Sequence, residues 1–269
     1  MVKPIGFVAC GPSSSHTMMV KTQCQATTTS RLKARMKSTY RSRWSPPAAA
    51  AAILSVLAIA NIVSNRLLPA WAYVPFNLAV AAAVYLLARC VVQPAEMGLT
   101  DWARGARWGG VLFAATLLVY TVAALLPGVS EAFEDRRVGG GTTTLLYHAL
   151  VRIPLGTVLL EELAFRGALP AVLVREWSTL RAYTVSSLLF GLWHVLPAWS
   201  IGDANPVLDD IFGDGWVGQA AGVVTAVAAT FLGGMWLSLI RLGANSLLAP
   251  ILAHVATNSL GYIFAWSMS

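Results

Sequence analysis

Hydrophobic residues along this chain fall into long runs that are separated by short polar segments. A helix that crosses a lipid bilayer needs about 20 apolar residues, and seven of the runs approach or exceed that length. The pattern predicts helices at approximately 47–64, 71–92, 110–126, 145–174, 182–199, 217–240 and 245–266. We therefore predict an all-α fold, a polytopic transmembrane helix bundle of about seven spans, with eight as the alternative.

The segment from Pro94 to Trp108 has a different pattern from these runs. Charged residues alternate in it with methionine, leucine and tryptophan. Amphipathic segments of this kind lie in the membrane interface, where tryptophan side chains sit at the level of the lipid headgroups. We predict an interfacial segment here, between the second and third spans.

The composition agrees with a membrane protein. Of 269 residues, 57% are hydrophobic and only 12% are charged, whereas soluble domains are about 25% charged. The length suits a single bundle rather than several large domains. We predict an integral membrane protein whose essential partner is the lipid bilayer.

Charge along the chain predicts its domains and its orientation. Eight of the 19 Lys and Arg residues precede the first apolar run. We predict a basic, disordered tail over residues 1–45 and a transmembrane domain over residues 46–269. A basic tail beside a span favours contact with anionic lipid on the cytoplasmic side and not a nucleic-acid partner. The positive-inside rule then places the N-terminus inside and the C-terminus outside, and the Ala- and Arg-rich composition favours a bacterial cell membrane.

The fourth run carries charge where charge is most costly. Glu161, Glu162 and Arg166 lie within it, and a charged side chain at the centre of a membrane helix costs about 2.5 to 3.5 kcal/mol on insertion scales. Glu162 and Arg166 are four residues apart and can pair on one helix face. Glu161 points about 100° away from Glu162. The structural alternative is an ion pair that fastens two helices, but the second carboxylate favours a functional site.

Two histidines accompany these charges in later runs. His194 and His254 are predicted to lie deep in the fifth and seventh spans. Glu161, His194 and His254 are each 13 or 14 residues from an arginine at the predicted inner end of their helix, which corresponds to about 20 Å at 1.5 Å per residue. Three helices therefore deliver a carboxylate and two imidazoles to comparable depth. A lone membrane histidine is more often a contact between helices, but this combination favours catalysis.

Each histidine has a helical neighbour four residues away. Phe190 precedes His194, and its ring can pack the imidazole in place. Asn258 follows His254 and offers an amide N–H, the kind of donor that a developing oxyanion requires.

Taken in order, Glu161-Glu162-x-x-x-Arg166, Phe190-x-x-x-His194 and His254-x-x-x-Asn258 resemble the three-motif signature of the CAAX-protease and bacteriocin-processing family of intramembrane proteases. This family includes the Ras-converting enzyme and bacterial Abi-type proteins. The resemblance extends from about Met97 to the C-terminus. Each motif alone is weak, whereas the ordered triple on three membrane helices is specific.

The resemblance implies an intramembrane endopeptidase. It implies that Glu161 and His194 activate a water molecule and that His254 and Asn258 stabilise the tetrahedral oxyanion. Its implied partner is a peptide or a membrane-anchored protein substrate; eukaryotic relatives cut prenylated CAAX proteins, and a bacterium without prenylation needs another substrate. The candidate catalytic residues are Glu161, Glu162, Arg166, His194, His254 and Asn258.

The sequence leaves three alternatives open. Zinc is an alternative cofactor, held by Glu161, His194 and His254, although Asn258 favours a metal-free mechanism and the His-Glu-x-x-His motif of soluble zinc proteases is absent. A transporter would also keep such buried polar residues, but we find no internal repeat. A non-catalytic immunity or scaffold protein would be expected to have lost at least one site residue. The sequence predicts no particular oligomeric state.

Overall fold

The computed structural model describes residues 44–127, 129–133, 135, 138–199, 211 and 215–268. Regular structure in these residues is entirely helical. The predicted disordered tail lies outside the described residues, except for its last two positions. The seven long helices are α1 (Pro46–Arg66), α2 (Tyr73–Arg89), α3 (Trp102–Leu125), α4 (Thr142–Leu173), α5 (Thr179–Trp193), α6 (Gly215–Ala244) and α7 (Leu248–Met268).

Six of these helices are long and apolar enough to cross a membrane. They are α1 to α4, α6 and α7, with a short 3₁₀ turn at Ala70–Ala72 extending the start of α2. The remaining helix, α5, has 15 residues. The prediction of an all-α, polytopic membrane bundle is confirmed, and the seven helices correspond one to one with the seven apolar runs.

The predicted interfacial segment at Pro94 to Trp108 does not form a separate element. Residues 94–97 are turns, and α3 begins at Trp102. No proline lies between Trp102 and the apolar run, so residues 102–108 become the first two turns of α3, and residues 94–101 remain the connection from α2.

Helix α5 ends earlier than its hydrophobicity predicts. The apolar run continues to Trp199, but the helix stops at Trp193. Pro197 explains this end: a proline has no N–H to donate to the carbonyl four residues earlier, and its ring clashes with that carbonyl. The carbonyl concerned is that of Trp193. His194 is therefore the C-cap residue of a short helix and not, as predicted, a residue deep inside a longer one.

Helix α4 passes two prolines without ending. Around Pro154 and before Pro170 the helix widens into π-helical turns, with hydrogen bonds from Leu159 N–H to the Pro154 carbonyl and from Leu169 N–H to the Ala164 carbonyl. Widened turns of this kind are frequent at functional sites. The second of them begins directly after Glu162.

In these π-helical turns each backbone N–H donates to the carbonyl five residues earlier. Pro154 and Pro170 have no N–H, so each leaves one carbonyl without its backbone donor. A neighbouring helix supplies the replacement in both cases. The Ser259 hydroxyl of α7 donates to the Ala149 carbonyl at 2.9 Å, five residues before Pro154. The Ser186 hydroxyl of α5 donates to the Phe165 carbonyl at 2.6 Å, five residues before Pro170. Because lipid offers no hydrogen-bond partner, these donors both satisfy α4 and fix the positions of α5 and α7 against it.

Helix α4 lies at the centre of the bundle and contacts α1, α2, α5, α6 and α7. Its residues from Leu160 to Val172 are buried, which leaves Glu161, Glu162 and Arg166 no direct exposure to lipid. Helix α3 is peripheral. It packs through Gly105 and Gly109, where a Cβ atom would clash with the side chains of Ser246 and Leu252. This small-xxx-small spacing lets the side chains of Ser246, just before α7, and Leu252, on α7, pack directly on the α3 backbone.

Candidate active site

The charged residues of α4 form an ion pair inside the bundle. The side chains of Glu162 and Arg166 are completely buried, and Glu161 is only 5% exposed. Arg166 Nη1 lies 3.0 Å from Glu162 Oε1, although its N–H groups do not point at that oxygen with hydrogen-bond geometry. The Arg166 guanidinium also lies 3.8 Å from the centre of the Phe190 ring, a cation–π contact that strengthens when water is excluded. Arg166 is thus held by one carboxylate and one aromatic face.

Glu162 connects this pair to His254 of α7. His254 Nδ1 lies 2.8 Å from Glu162 Oε1. A carboxylate that faces an arginine accepts hydrogen bonds, so Nδ1 carries the proton and neutral His254 has its lone pair at Nε2. Asn258 Nδ2 lies 3.1 Å from that Nε2. One N–H of the Asn258 amide is therefore directed to His254, and its second N–H remains available.

Glu161 faces a different set of groups from Glu162. Its Oε1 accepts a hydrogen bond of 2.9 Å from the indole N–H of Trp193. Its Oε2 is buried and has no hydrogen-bond partner among the described residues. This oxygen lies 3.8 Å from His254 Nε2. The site therefore holds one carboxylate oxygen that is engaged and one that is left as a free acceptor beside an imidazole.

His194 joins the cluster through Phe190. Its Nδ1 lies 2.8 Å from the Phe190 carbonyl, so Nδ1 donates and neutral His194 also has its lone pair at Nε2. The rings of Phe190 and His194 meet edge to face at 4.7 Å between centroids, and Phe190 meets His254 in the same way at 6.0 Å. Both histidines thus flank one phenylalanine, but His194 makes no described ion pair or hydrogen bond with Glu161.

Two glycines allow helices α5 and α6 to approach this cluster. A Cβ atom on Gly191 would lie 2.8 Å from the Val227 carbonyl oxygen. A Cβ atom on Gly234 would lie 3.1 Å from Phe190 and 3.3 Å from Arg166 Nη2. At Gly234, helix α6 therefore packs closely on both the Phe190 ring and the Arg166 guanidinium.

The zinc alternative finds no preformed site among the described residues. It requires Glu161, His194 and His254 to converge on one ion, and no group of three His, Cys, Asp or Glu side chains in the described part of the chain is placed to hold a metal. The lone pair of His254 Nε2 also faces the amide of Asn258 at 3.1 Å. A zinc ion would need that lone pair as a ligand.

Trp193 is a functional candidate that the sequence did not predict. Trp193 donates to Glu161, yet in sequence it is one more aromatic residue in an apolar run, where tryptophan usually serves packing. Its position directly before His194 is the only signal that the sequence offers. The contact depends on α5 crossing α4 at this point, which only the tertiary structure shows.

The fold and this cluster define a class: a polytopic membrane protein with two buried carboxylates and a buried imidazole, beside a half-buried imidazole and an exposed amide. The family model described as type II CAAX prenyl endopeptidase Rce1-like matches residues 143–260. All six candidate residues lie inside the matched range, and the match confirms the family identification made from the three motifs. It supports an intramembrane endopeptidase in general. Neither the search of the curated proteins nor that of the solved structures found a match.

Proposed function

We propose that this protein hydrolyses a peptide bond of a membrane-associated substrate with a water molecule activated by Glu161. The observation that carries this proposal is the environment of the Glu161 carboxylate. One of its oxygens is held by an N–H donor, and the other is a buried acceptor with no hydrogen-bond partner in the part of the chain that the structure describes. A general base needs an oxygen of this kind within reach of the water whose proton it takes.

The reaction follows from this arrangement. Glu161 Oε2 takes a proton from the water as the water oxygen bonds to the carbonyl carbon of the substrate, and the carbonyl electrons move to its oxygen. When the tetrahedral intermediate collapses, the C–N bond breaks and the nitrogen takes the proton from Glu161. His194 shares in activating the water, since the lone pair of its Nε2 can accept a hydrogen bond from it.

The oxyanion needs a donor that is already in place. Asn258 supplies it through the N–H that is not directed to His254. Glu162 and Arg166 hold His254, and His254 in turn holds Asn258. The second glutamate and the arginine therefore support the reaction through α7 without contacting the substrate.

The family description and the buried site suggest the substrate class. A C-terminal prenylated peptide is one candidate, and an apolar membrane-anchored peptide is the other. The composition favours a bacterial cell membrane with the basic N-terminus in the cytoplasm, which favours the second substrate. Both candidate substrates present their peptide bond at or within the bilayer.

The test uses the full chain reconstituted in liposomes. Two quenched fluorogenic peptides serve as probes, one with a farnesylated four-residue C-terminal motif and one with an apolar transmembrane segment. We expect wild type to cleave at least one probe, and Glu161→Gln and His194→Ala to lose more than 100-fold in kcat, of the order found when a general base is removed (about 10²- to 10⁴-fold). His148→Ala is the matched control, because His148 lies on α4 but stacks on Tyr262 instead of entering the cluster.

Equal turnover by wild type, Glu161→Gln and His194→Ala would contradict the proposal. So would a failure of wild type to cut either probe, which would favour a non-catalytic scaffold protein. Retained activity in His148→Ala shows that a membrane histidine can be replaced without general damage to the fold.

A further inference from the structure

The last residue of α5 connects α1 to the proposed catalytic base. Asn61 Nδ2 of α1 donates to the backbone carbonyl of Trp193 at 2.9 Å. The indole N–H of the same Trp193 donates to Glu161 Oε1, also at 2.9 Å. Asn61 is 9% exposed and Glu161 is 5% exposed, so water has little access to either end of this chain of contacts.

The first hydrogen bond follows from the way α5 ends. Pro197 has no N–H for the Trp193 carbonyl, and the hydrocarbon region offers no water to replace it. Asn61 supplies the missing donor. Ser64 and Asn65 follow on the same helix, but their side chains donate elsewhere, to Asn77 and to the Asn61 carbonyl. The end of α5 is thereby fixed to α1 at Trp193.

The second hydrogen bond distinguishes the two oxygens of Glu161. Rotation of a glutamate carboxylate about its last torsion is broad and roughly two-fold, so the two oxygens exchange places easily when nothing holds them. The indole N–H holds Oε1. The indole itself is held by Phe165, whose ring meets it edge to face at 5.8 Å between centroids. Oε2 is then the oxygen that remains free, 3.8 Å from His254 Nε2.

We propose that Trp193 is a positioning residue that aims Glu161 Oε2 at the reacting water, and that Asn61 positions Trp193. This inference rests on the proposed function of Glu161 as the general base. It assigns to α1, which lies outside the family match at residues 143–260, a part in orienting the site.

The first experiment is Trp193→Phe in the reconstituted full chain. Phenylalanine keeps an aromatic ring against Phe165 and removes the N–H donor. We expect kcat to fall by about 10- to 100-fold, as for the loss of a hydrogen bond to a charged group. KM should stay within twofold of wild type, since Trp193 does not contact the substrate in this proposal. Trp266→Phe is the matched control, because it removes an indole N–H that donates to the Gly140 carbonyl at 2.9 Å, away from the cluster.

The second experiment separates positioning from general support of the fold. Asn61→Leu keeps the volume and removes the donor to Trp193, and we expect kcat to fall by about threefold to tenfold. Asn65→Leu, one turn later on α1 and exposed, is its control and should match wild type. In the double variant Asn61→Leu/Trp193→Phe, kcat should equal that of Trp193→Phe within twofold, because Asn61 acts through the indole.

A spectroscopic measurement tests the hydrogen bond without relying on turnover. The infrared difference between wild type and Trp193→Phe should contain a carboxylate stretching band. The same difference in a Glu161→Gln background should lack that band, since the carboxylate that accepts the indole N–H is then absent.

Three results would overturn the inference: a Trp193→Phe kcat within twofold of wild type, additive losses in the double variant, or no Glu161-dependent infrared band. These are distinct from failure of the proposed function, in which Glu161→Gln itself keeps full turnover. Melting temperatures of all variants, measured in the same detergent, show whether a lost kcat reflects a lost fold.

Discussion

Glu161 and Glu162 are adjacent in sequence but occupy different environments. Glu162 has a full positive charge and an imidazole beside it, at 3.0 Å and 2.8 Å. Glu161 has an indole N–H on one oxygen, and its other oxygen has no hydrogen-bond partner among the described residues. The 100° between successive helical residues therefore places one carboxylate in a structural role and leaves its neighbour available for chemistry.

This difference predicts opposite effects for the same substitution. Glu161→Gln should abolish cleavage and leave the melting temperature at or above that of wild type, since the amide oxygen can still accept the indole N–H of Trp193 and the removed charge lies 3.8 Å from an imidazole and not in a close ion pair. Glu162→Gln should lower the melting temperature, because breaking a buried pair leaves Arg166 uncompensated at a cost of about 3–5 kcal/mol. Thermal unfolding in detergent, read beside the cleavage assay, distinguishes the two. A lower melting temperature for Glu161→Gln than for Glu162→Gln would contradict this assignment.

The ligand geometry predicts that cleavage does not depend on zinc. His254 Nε2 faces Asn258, and no three His, Cys, Asp or Glu side chains among the described residues are placed to hold one ion. We expect activity to persist after incubation with 1,10-phenanthroline and to be independent of the zinc content measured by mass spectrometry. Loss of activity that returns on adding zinc, but not magnesium, would overturn the metal-free assignment.

At the scale of the helices, prolines shape the site. Pro154, Pro170 and Pro197 each leave a carbonyl without a backbone donor, and Ser259, Ser186 and Asn61 supply the replacements. Each of these hydrogen bonds joins two different helices. The proline positions in α4 and α5 are therefore points at which hydrogen bonds connect neighbouring helices of the bundle.

Glycine positions on α6 predict a second pair of contrasting variants. Gly234→Ala should lower kcat and stability, because its Cβ would lie 3.1 Å from Phe190 and force that ring away from Arg166. The neighbouring Gly233→Ala should match wild type, since a Cβ atom there meets nothing within 4 Å. Both variants are assayed for cleavage and melting temperature. Equal changes in kcat and melting temperature at the two positions would show that close packing of α6 on Phe190 is not important.

At the scale of the whole molecule, the length of helix α5 decides how many times the chain crosses the membrane. Its 15 residues extend about 22 Å at 1.5 Å per residue, less than the bilayer core of about 30 Å. The turns at residues 195–199 continue the chain in the same apolar run. We therefore expect α5 and these turns to complete a crossing together, which makes seven.

Seven crossings with a cytoplasmic N-terminus place the C-terminus outside. Alkaline phosphatase fused after Ser269 should then be active in a bacterial host, and a fusion after Arg175, between α4 and α5, should be inactive. The positive-inside rule gives the same assignment, because Arg175 and Arg181 both lie in this connection. An inactive C-terminal fusion would show that α5 enters and leaves on one side.

The sequence by itself determined the class of fold. Hydrophobic runs and missing charge specify helices in a bilayer, because lipid leaves the backbone no other way to satisfy its polar groups. It also determined the candidate residues and the Glu162–Arg166 pair, since spacing along one helix is a local property. The segment from Pro94 to Trp108 shows what the sequence did not determine. Its amphipathic pattern was recognisable, but the pattern did not reveal that α3 begins inside the segment, at Trp102.

The tertiary structure decided how the residues meet. That His254 pairs with Glu162 and that Trp193 holds Glu161 depend on how three helices cross, and a crossing is set by packing between residues far apart in sequence. The end of α5 at Trp193 depends on Pro197, whose effect is local, but its capping by Asn61 comes from a helix 132 positions away. Periodicity identifies which face of a helix is polar, whereas only packing determines what that face contacts.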